Sequence, residues 1–295
     1  MYLKSRDHKY LQKDPKIFSD ELINDFISKL PFELTSDQLN VTRDILSDMK
    51  KDYQMNRLVQ GDVGSGKTVV ATIGLYANFL SGYQSSLMAP TEILAEQHFK
   101  YLKETFSNYE INIELLTSSI TGKNRSNILS RLESGEIDII VGTHALISDG
   151  VNFKKLGLII IDEQHRFGVN QRKILREKGE KCDALFLSAT PIPRTLALTV
   201  LGDMDVSSIR EMPKGRKNIK TYLIKSKLES RLIEFIKEVI SRNEQVYIIT
   251  PLIEESEKMD LENAEHVYEK YKAYFPNHNV GLLHGKLSAE QKESV

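Results

Sequence analysis

The sequence of 295 residues predicts an α/β protein built on a doubly wound parallel sheet. Two observations predict this class. Short apolar runs alternate with longer segments of helical periodicity, and a glycine-rich loop follows the first of these runs. Runs that are apolar throughout are buried on both faces, as the strands of a parallel sheet covered by helices are.

The first domain contains six predicted strands, at residues 57–60, 86–89, 113–116, 137–141, 158–161 and 184–187. Helical periodicity predicts helices in three of the connections, at 69–80, 92–105 and 124–133. Gly82 and Gly135 follow the first and third of these helices, where glycine suits a helix C-terminus. The order predicts an open α/β domain with the glycine-rich loop after its first strand.

A second α/β series follows a stretch rich in proline, glycine and charge at 211–218, which predicts a linker. Its predicted strands are 221–224, 245–249 and 280–283, and its predicted helices are 229–240 and about 260–274. A capping box at Ser288-Ala-Glu-Gln291 predicts one more helix start. We therefore expect a lead-in segment at 1–30, a first domain at 31–210, a linker at 211–220 and a partial second domain at 221–295.

The glycine-rich loop reads Gly-Asp-Val-Gly-Ser-Gly-Lys-Thr and matches G-x-x-x-x-G-K-[ST] between a strand and a helix. Its backbone N–H groups are expected to surround a polyphosphate at the positive end of the following helix. Lys67 would reach the terminal phosphates, and the Thr68 hydroxyl would bind Mg²⁺. A glycine-rich helix cap is the structural alternative. The predicted nucleotide-binding residues here are Gly61, Asp62, Val63, Gly64, Ser65, Gly66, Lys67 and Thr68.

Composition excludes several other classes. Lys and Arg number 40 and Asp and Glu 41, so the formal charge of −1 predicts neither a nucleic-acid nor a membrane partner from bulk charge. One cysteine cannot form an internal disulfide. No apolar run approaches the roughly 20 residues of a membrane span, and the N-terminus lacks the apolar core of a signal peptide. We expect a cytoplasmic protein without membrane contact.

A second acidic motif follows the apolar strand at 158–161, at the strand end where open α/β sheets bind ligands. Asp162 is placed to hold Mg²⁺ through a water, and Glu163 to polarise the water that attacks a γ-phosphate. An acidic helix start is the structural alternative. The predicted catalytic residues are therefore Lys67, Asp162 and Glu163.

Three motifs together resemble motifs I, II and III of superfamily 2 helicases and translocases: the phosphate loop, Asp162-Glu-Gln-His165 and Ser188-Ala-Thr190. The longer stretches 162–168 and 188–195 look like the RecG family, and the Mfd family is the next most similar. The resemblance covers roughly residues 30 to 295. It implies a RecA-like motor domain followed by a partial second RecA-like domain, with ATP and Mg²⁺ as cofactors.

Further segments extend the resemblance. Residues 89–92 with Gln97 and His98 resemble motif Ia, 116–118 motif Ib, and 246–251 motif IV. Upstream, residues 30–38 resemble the region that binds adenine, where Phe32 would stack on the base and Gln38 would bond its edge. The alternatives are a core role for Phe32 and a helix-start role for Gln38.

The resemblance also implies DNA contacts and a route between ATP and DNA. Contacts to the phosphate backbone, which are blind to sequence, suit residues at loop ends. These candidates are Thr91, Thr117, Ser118, Thr143 and His144, each of which could instead be an ordinary helix cap or a solvated side chain. The residues implied in coupling are His165, Ser188, Ala189, Thr190 and Arg194.

The resemblance predicts an ATP-dependent DNA helicase that remodels branched or forked DNA in recombination and repair as a monomeric motor. The wedge domain of the RecG family and motifs V and VI are missing, so we expect a fragment that hydrolyses ATP negligibly by itself. The alternatives are an Mfd-like duplex translocase and a nucleotide-binding module without turnover. A GTPase is disfavoured because the sequence has no N-K-x-D.

Overall fold

A computed structural model describes residues 12–162, 181–190, 204–212, 219–224, 228–250, 257–284, 287, 291, 294 and 295. The chain forms two compact units, Met1–Lys217 and Asn218–Val295. The predicted linker lies around this division. The bounds predicted for the four segments remain predictions.

The first unit contains a parallel sheet of seven strands among its described residues. Its order is β3-β4-β2-β5-β6-β1-β7, and each neighbouring pair is parallel. The strands are β1 (Asn56–Gly61), β2 (Gln84–Met88), β3 (Ile113–Leu116), β4 (Ile139–Gly142), β5 (Leu156–Ile161), β6 (Asp183–Ser188) and β7 (Asp205–Ile209). The predicted doubly wound α/β fold is confirmed.

Helices cover both faces of this sheet. The described helices of the unit are α1 (Asp20–Ser28), α2 (Ser36–Met49), α3 (Lys67–Leu80), α4 (Glu92–Thr105) and α5 (Gly122–Ser134). Side chains alternate along β5, where Leu158 and Ile160 join the core under α1 to α4. Ile159 and Ile161 join the opposite core with Leu132 of α5. All four β5 side chains are almost completely buried, which explains the unbroken apolar run.

The predicted strand ends differ from the observed ones by at most two residues. The apolar runs did not predict β7, α1 or α2. The β7 sequence, Asp205-Val-Ser-Ser-Ile209, is mostly polar because β7 pairs only with β1 at the edge of the described sheet. α1 packs Ile23 and Phe26 into the core, and the Phe26 ring stacks on Tyr76 at 4.7 Å. No described helix is long and apolar enough to cross a membrane.

A strap of residues 12–18 crosses the amino ends of the strands. Lys13 and Lys16 are buried, and both ammonium groups pair with the fully buried carboxylate of Asp183, which begins β6. Lys16 Nζ also donates to the carbonyl of Gly157 at 2.8 Å, and Asp183 accepts from the N–H of Met55 at 2.7 Å. Burial lowers the pKa of Lys16 below 10.5, while Asp183 opposes that shift.

The second unit has two described helices, α6 (Glu229–Ser241) and α7 (Glu257–Tyr274). Both agree with the predicted helices. The predicted strands 221–224, 245–249 and 280–283 are wrong as strands, because these residues form no ladder in the described structure. Leu223 and Ile249 are 99% and 88% exposed, so an apolar sequence alone has not produced a sheet here. The predicted helix start at 288–291 lies largely outside the described residues.

Candidate nucleotide site

The phosphate loop joins the end of β1 to the start of α3, as predicted. Gly64 and Gly66 have φ of 78° and 88°, in the left-handed region that glycine adopts readily. A Cβ on Gly66 would lie 2.1 Å from Nε2 of Gln38, and one on Gly61 would lie 2.9 Å from the carbonyl of Ile209. The positive φ favours glycine at residue 66, where a Cβ would also displace the Gln38 amide, and the backbone of Ile209 leaves no room for a Cβ at residue 61.

The loop is built to receive an anion. α3 begins without a side-chain cap, so its first N–H groups face the loop at the positive end of the helix. Lys67 is 9% exposed, and its ammonium donates to the carbonyls of Gly61 and Asp62 at 2.7 and 3.1 Å. The fully buried Ser65 hydroxyl has no hydrogen-bond partner among the described residues. These features fit a loop that exchanges internal contacts for phosphate oxygens.

A cavity of about 1050 Å³ lies beside this loop, which is large enough for a nucleotide. Nine residues predicted from the sequence line it: Phe32, Gln38, Val63, Gly64, Gly66, Lys67, Thr68, Asp162 and Ala189. The hydroxyl of Thr68 and the carboxylate of Asp162 are oxygen ligands of the kind that Mg²⁺ prefers, so the donor set fits this ion. The fold therefore brings together residues that are up to 157 positions apart in the sequence.

Gln38 joins the predicted base-binding segment to the phosphate loop. Its Oε1 accepts from the N–H of Thr35 at 2.9 Å, and its Nε2 donates to the carbonyl of Ser65 at 2.8 Å. Gln38 thus completes the capping box of α2, which was the structural alternative, and contacts the loop as well. Phe32 is 49% exposed at the cavity, which does not fit the alternative of a core residue.

Asp162 lies directly after β5, and its N–H donates to the carbonyl of Met88 at the end of β2. Its carboxylate contacts His98 of α4, with 2.8 Å between Oδ2 and Nε2. Both groups line the cavity. Glu163 and His165 lie outside the described residues, and their predicted roles remain predictions.

The Ser188-Ala189-Thr190 segment forms a tight turn after β6. The Ser188 hydroxyl lies 3.0 Å from the hydroxyl of Thr190 and accepts from the Thr190 N–H at 3.2 Å. Ser188 is buried, Thr190 is exposed and Ala189 lines the cavity. The segment therefore runs from the cavity to the surface. Arg194 lies outside the described residues.

The predicted DNA-contacting residues all lie just after the carboxyl ends of three strands, β2, β3 and β4. The side chains of Thr91, Ser118 and His144 are exposed. Thr117 and Thr143 are 1% and 5% exposed, so their side chains do not reach solvent in this arrangement. The exposed three fit a surface for a phosphate backbone better than the buried two.

Sequence reasoning missed a clamp at the rim of the cavity. The carboxylate of Asp37 accepts from the N–H groups of Arg210 and Glu211 at 2.7 and 2.9 Å. The carboxylate of Glu211 in turn accepts from the Ser36 hydroxyl at 2.7 Å. The N–H groups of Glu211 and Arg210 hold the pKa of Asp37 below 3.8, and the Ser36 hydroxyl lowers that of Glu211. No local signal links these positions, because more than 170 residues separate them.

The class of protein follows from this fold and site. The chain belongs to the DEAD/DEAH box helicase family, whose model matches residues 35–199. The matched region begins at the Thr35 cap of α2 and contains the phosphate loop, Asp162 and the turn after β6.

Within this class, the chain is similar to proteins named ATP-dependent DNA helicase RecG. It is 57% identical to the Bacillus subtilis protein over 279 residues and 52% identical to the Staphylococcus aureus protein (strain NCTC 8325) over 274 residues. These alignments cover 94% and 92% of this chain but 41% and 40% of the relatives. The chain thus spans about two fifths of the relatives' length, and the predicted resemblance to RecG is confirmed.

Solved structures agree with this assignment. A structure of RecG bound to a three-way DNA junction is 42% identical, with a TM-score of 0.81 over 98% of this chain and 37% of that chain. The helicase MrfA bound to DNA is 18% identical, with a TM-score of 0.65 over 97% of this chain and 44% of that chain. The second likeness shows the fold alone.

Proposed function

We propose that this chain is the ATP-binding motor part of a RecG-type ATP-dependent DNA helicase that remodels branched DNA in recombination and repair. The observation that carries the proposal is the cavity where the phosphate loop, Asp162 and the Gln38 segment meet. High identity to relatives named ATP-dependent DNA helicase RecG supports this choice within the family.

In this proposal the loop N–H groups and Lys67 bind the phosphates of ATP, and Phe32 and Gln38 bind the base. Thr68 and, through a water, Asp162 would hold Mg²⁺, which would supply charge stabilisation to the phosphates of ATP. Glu163 orients and deprotonates the attacking water. ATP hydrolysis at this site would drive movement along DNA.

Branched or forked DNA is the proposed partner. The relative's structure contains a three-way DNA junction, and the exposed Thr91, Ser118 and His144 offer donors for phosphates on one side of the sheet edge. The near-zero net charge fits a motor that binds DNA through a local surface and not through its overall charge. We propose that the motor acts as a monomer in the cytoplasm.

The deciding experiment uses this chain extended to the length of its curated relatives. Phosphate release and unwinding are measured with forked DNA, unbranched duplex and no DNA. We expect hydrolysis to be stimulated most by forked DNA, and Glu163→Gln to keep affinity for ATP while losing turnover by about 10²-fold or more. Stimulation by unbranched duplex without fork preference would favour the Mfd-like alternative. ATP binding without turnover under any DNA condition would favour the nucleotide-binding module.

A further inference from the structure

Helix α4 presents His98, which lies in the segment that resembles motif Ia, to the acidic end of β5. Nε2 of His98 lies 2.8 Å from Oδ2 of Asp162. Only 11% and 15% of the two side chains are exposed, so water competes little for this contact. A carboxylate only accepts hydrogen bonds, and Nε2 therefore donates to Asp162.

The same helix is anchored where it begins. The hydroxyl of Thr91 accepts from the N–H of Leu94 at 3.3 Å, and Oε1 of Glu92 accepts from the N–H of Ser119 at 3.1 Å. Ser119 follows β3, among the proposed DNA-facing loops. His98 lies two turns further along α4, so one rigid element joins these loops to Asp162.

The contact also closes a ring of bonded elements. The N–H of Asp162 donates to Met88 at the end of β2, and β2 leads directly into α4. The His98 bond returns from α4 to the side chain of Asp162. Backbone and side chain of Asp162 are thus both held by the β2–α4 unit, and this fixes the direction of the carboxylate.

We propose that His98 is a positioning residue that holds the Asp162 carboxylate in the orientation required for Mg²⁺ bound with ATP. The inference rests on the proposed function of this cavity. The bond from His98 occupies one acceptor position of the Asp162 carboxylate and so sets the direction in which it faces. Removal of a partner that orients a direct ligand typically lowers metal affinity 10- to 100-fold, and because Asp162 acts through a water we expect a loss at the lower end of this range.

The test compares His98→Met with His98→Gln in the 295-residue chain. The two side chains are similar in length, but only glutamine retains an N–H donor. Affinity for a non-hydrolysable ATP analogue is measured by calorimetry, once with saturating Mg²⁺ and once with a chelator. Lys100→Ala, on the exposed face of α4, is the matched control.

We expect the gain in analogue affinity that Mg²⁺ produces to be about tenfold smaller in His98→Met than in the unmodified chain. Affinity measured with the chelator should be unchanged. His98→Gln and Lys100→Ala should stay within about threefold of the unmodified chain. In an Asp162→Asn background, His98→Met should cause no further loss, because the two residues act as one unit.

Three results would overturn the role of His98. The first is an equal gain in analogue affinity from Mg²⁺ in His98→Met and in the unmodified chain. The second is an equal loss of analogue affinity in His98→Met with and without Mg²⁺. The third is a loss in His98→Gln as large as the loss in His98→Met. An unmodified chain that binds no analogue would instead overturn the proposed function itself, and the inference with it. Melting curves of all variants identify a loss that comes from unfolding.

Discussion

The two ends of the seven-stranded sheet hold their polar groups in different ways. At the amino ends, the buried charges of Lys13, Lys16 and Asp183 bond one another and strand backbone. At the carboxyl ends, the Lys67 ammonium bonds carbonyls of its own loop, and the Ser65 hydroxyl has no hydrogen-bond partner among the described residues. Polar groups satisfied within the protein support the fold, whereas groups left with weak or local contacts are available to a ligand.

The largest effect is expected from Asp183→Asn at the amino ends. The substitution leaves two buried ammonium groups without a carboxylate, which costs about 3–5 kcal/mol of unfolding free energy. Urea denaturation measures the loss. Asp25→Asn is the control, since Asp25 pairs with Lys29 at an exposed position and should change stability little. An equal effect of both substitutions would show that the buried cluster does not stabilise the fold.

Lys67→Ala tests the opposite end of the sheet. Loss of a charged donor to phosphate should weaken binding of an ATP analogue about 10- to 100-fold. Stability should fall much less than in Asp183→Asn, because Lys67 bonds carbonyls of a surface loop. Calorimetry and urea denaturation measure the two quantities. Unchanged affinity would remove the phosphate loop from the proposed site.

Replacing Ser188 and Thr190 by Ala should have an intermediate effect that is specific to function. The two hydroxyls define the turn from the cavity to the surface, so we expect unwinding to fall several-fold more than ATP hydrolysis in the extended protein. Ser86→Ala is the control, because in the described part of the chain this buried hydroxyl of β2 has no hydrogen-bond partner. A parallel loss of both activities would indicate a purely structural turn.

Asp37→Asn should give the smallest effect and a pH signature. Because backbone N–H groups lower the pKa of Asp37 in the folded protein, the ionised carboxylate contributes stability above its ordinary pKa of 3.8. That contribution is lost as the pH falls through the lower folded value. The melting temperatures of the unmodified chain and Asp37→Asn should therefore differ at neutral pH and converge in acid. A constant difference would argue against the carboxylate as the cause.

The fold of the first unit was predictable because its central strands are buried on both faces. Runs such as Leu158-Ile-Ile-Ile161 carry that signal in every residue. β7 is a polar edge strand, and α2 was recognised only as a base-binding segment, so periodicity found neither. In the second unit the apolar runs at 221–224 and 245–249 predicted strands that form no ladder, because a strand also needs a bonded neighbour.

The site was predictable where its residues lie in a contiguous motif. The phosphate loop and Asp162 line one cavity, as expected from their positions at strand ends. The Asp37–Glu211 clamp and the His98–Asp162 contact join residues far apart in the chain, and only the packed helices bring them together. Thr117 and Thr143 were predicted to contact DNA because they follow strands, but their side chains are buried. Position in the sequence does not reveal this burial.

The strap across the amino ends determines how the protein responds to N-terminal truncation and to proteolysis. Shortening the chain to begin at residue 31 would remove Lys13, Lys16 and the buried Phe26 together. Asp183, at the amino end of β6, would then be buried without either ammonium group. Removing this N-terminal segment would therefore destabilise the interior of the domain. Proteases specific for basic residues should also cleave slowly after Lys13 and Lys16, because both side chains are inaccessible until the strap lifts.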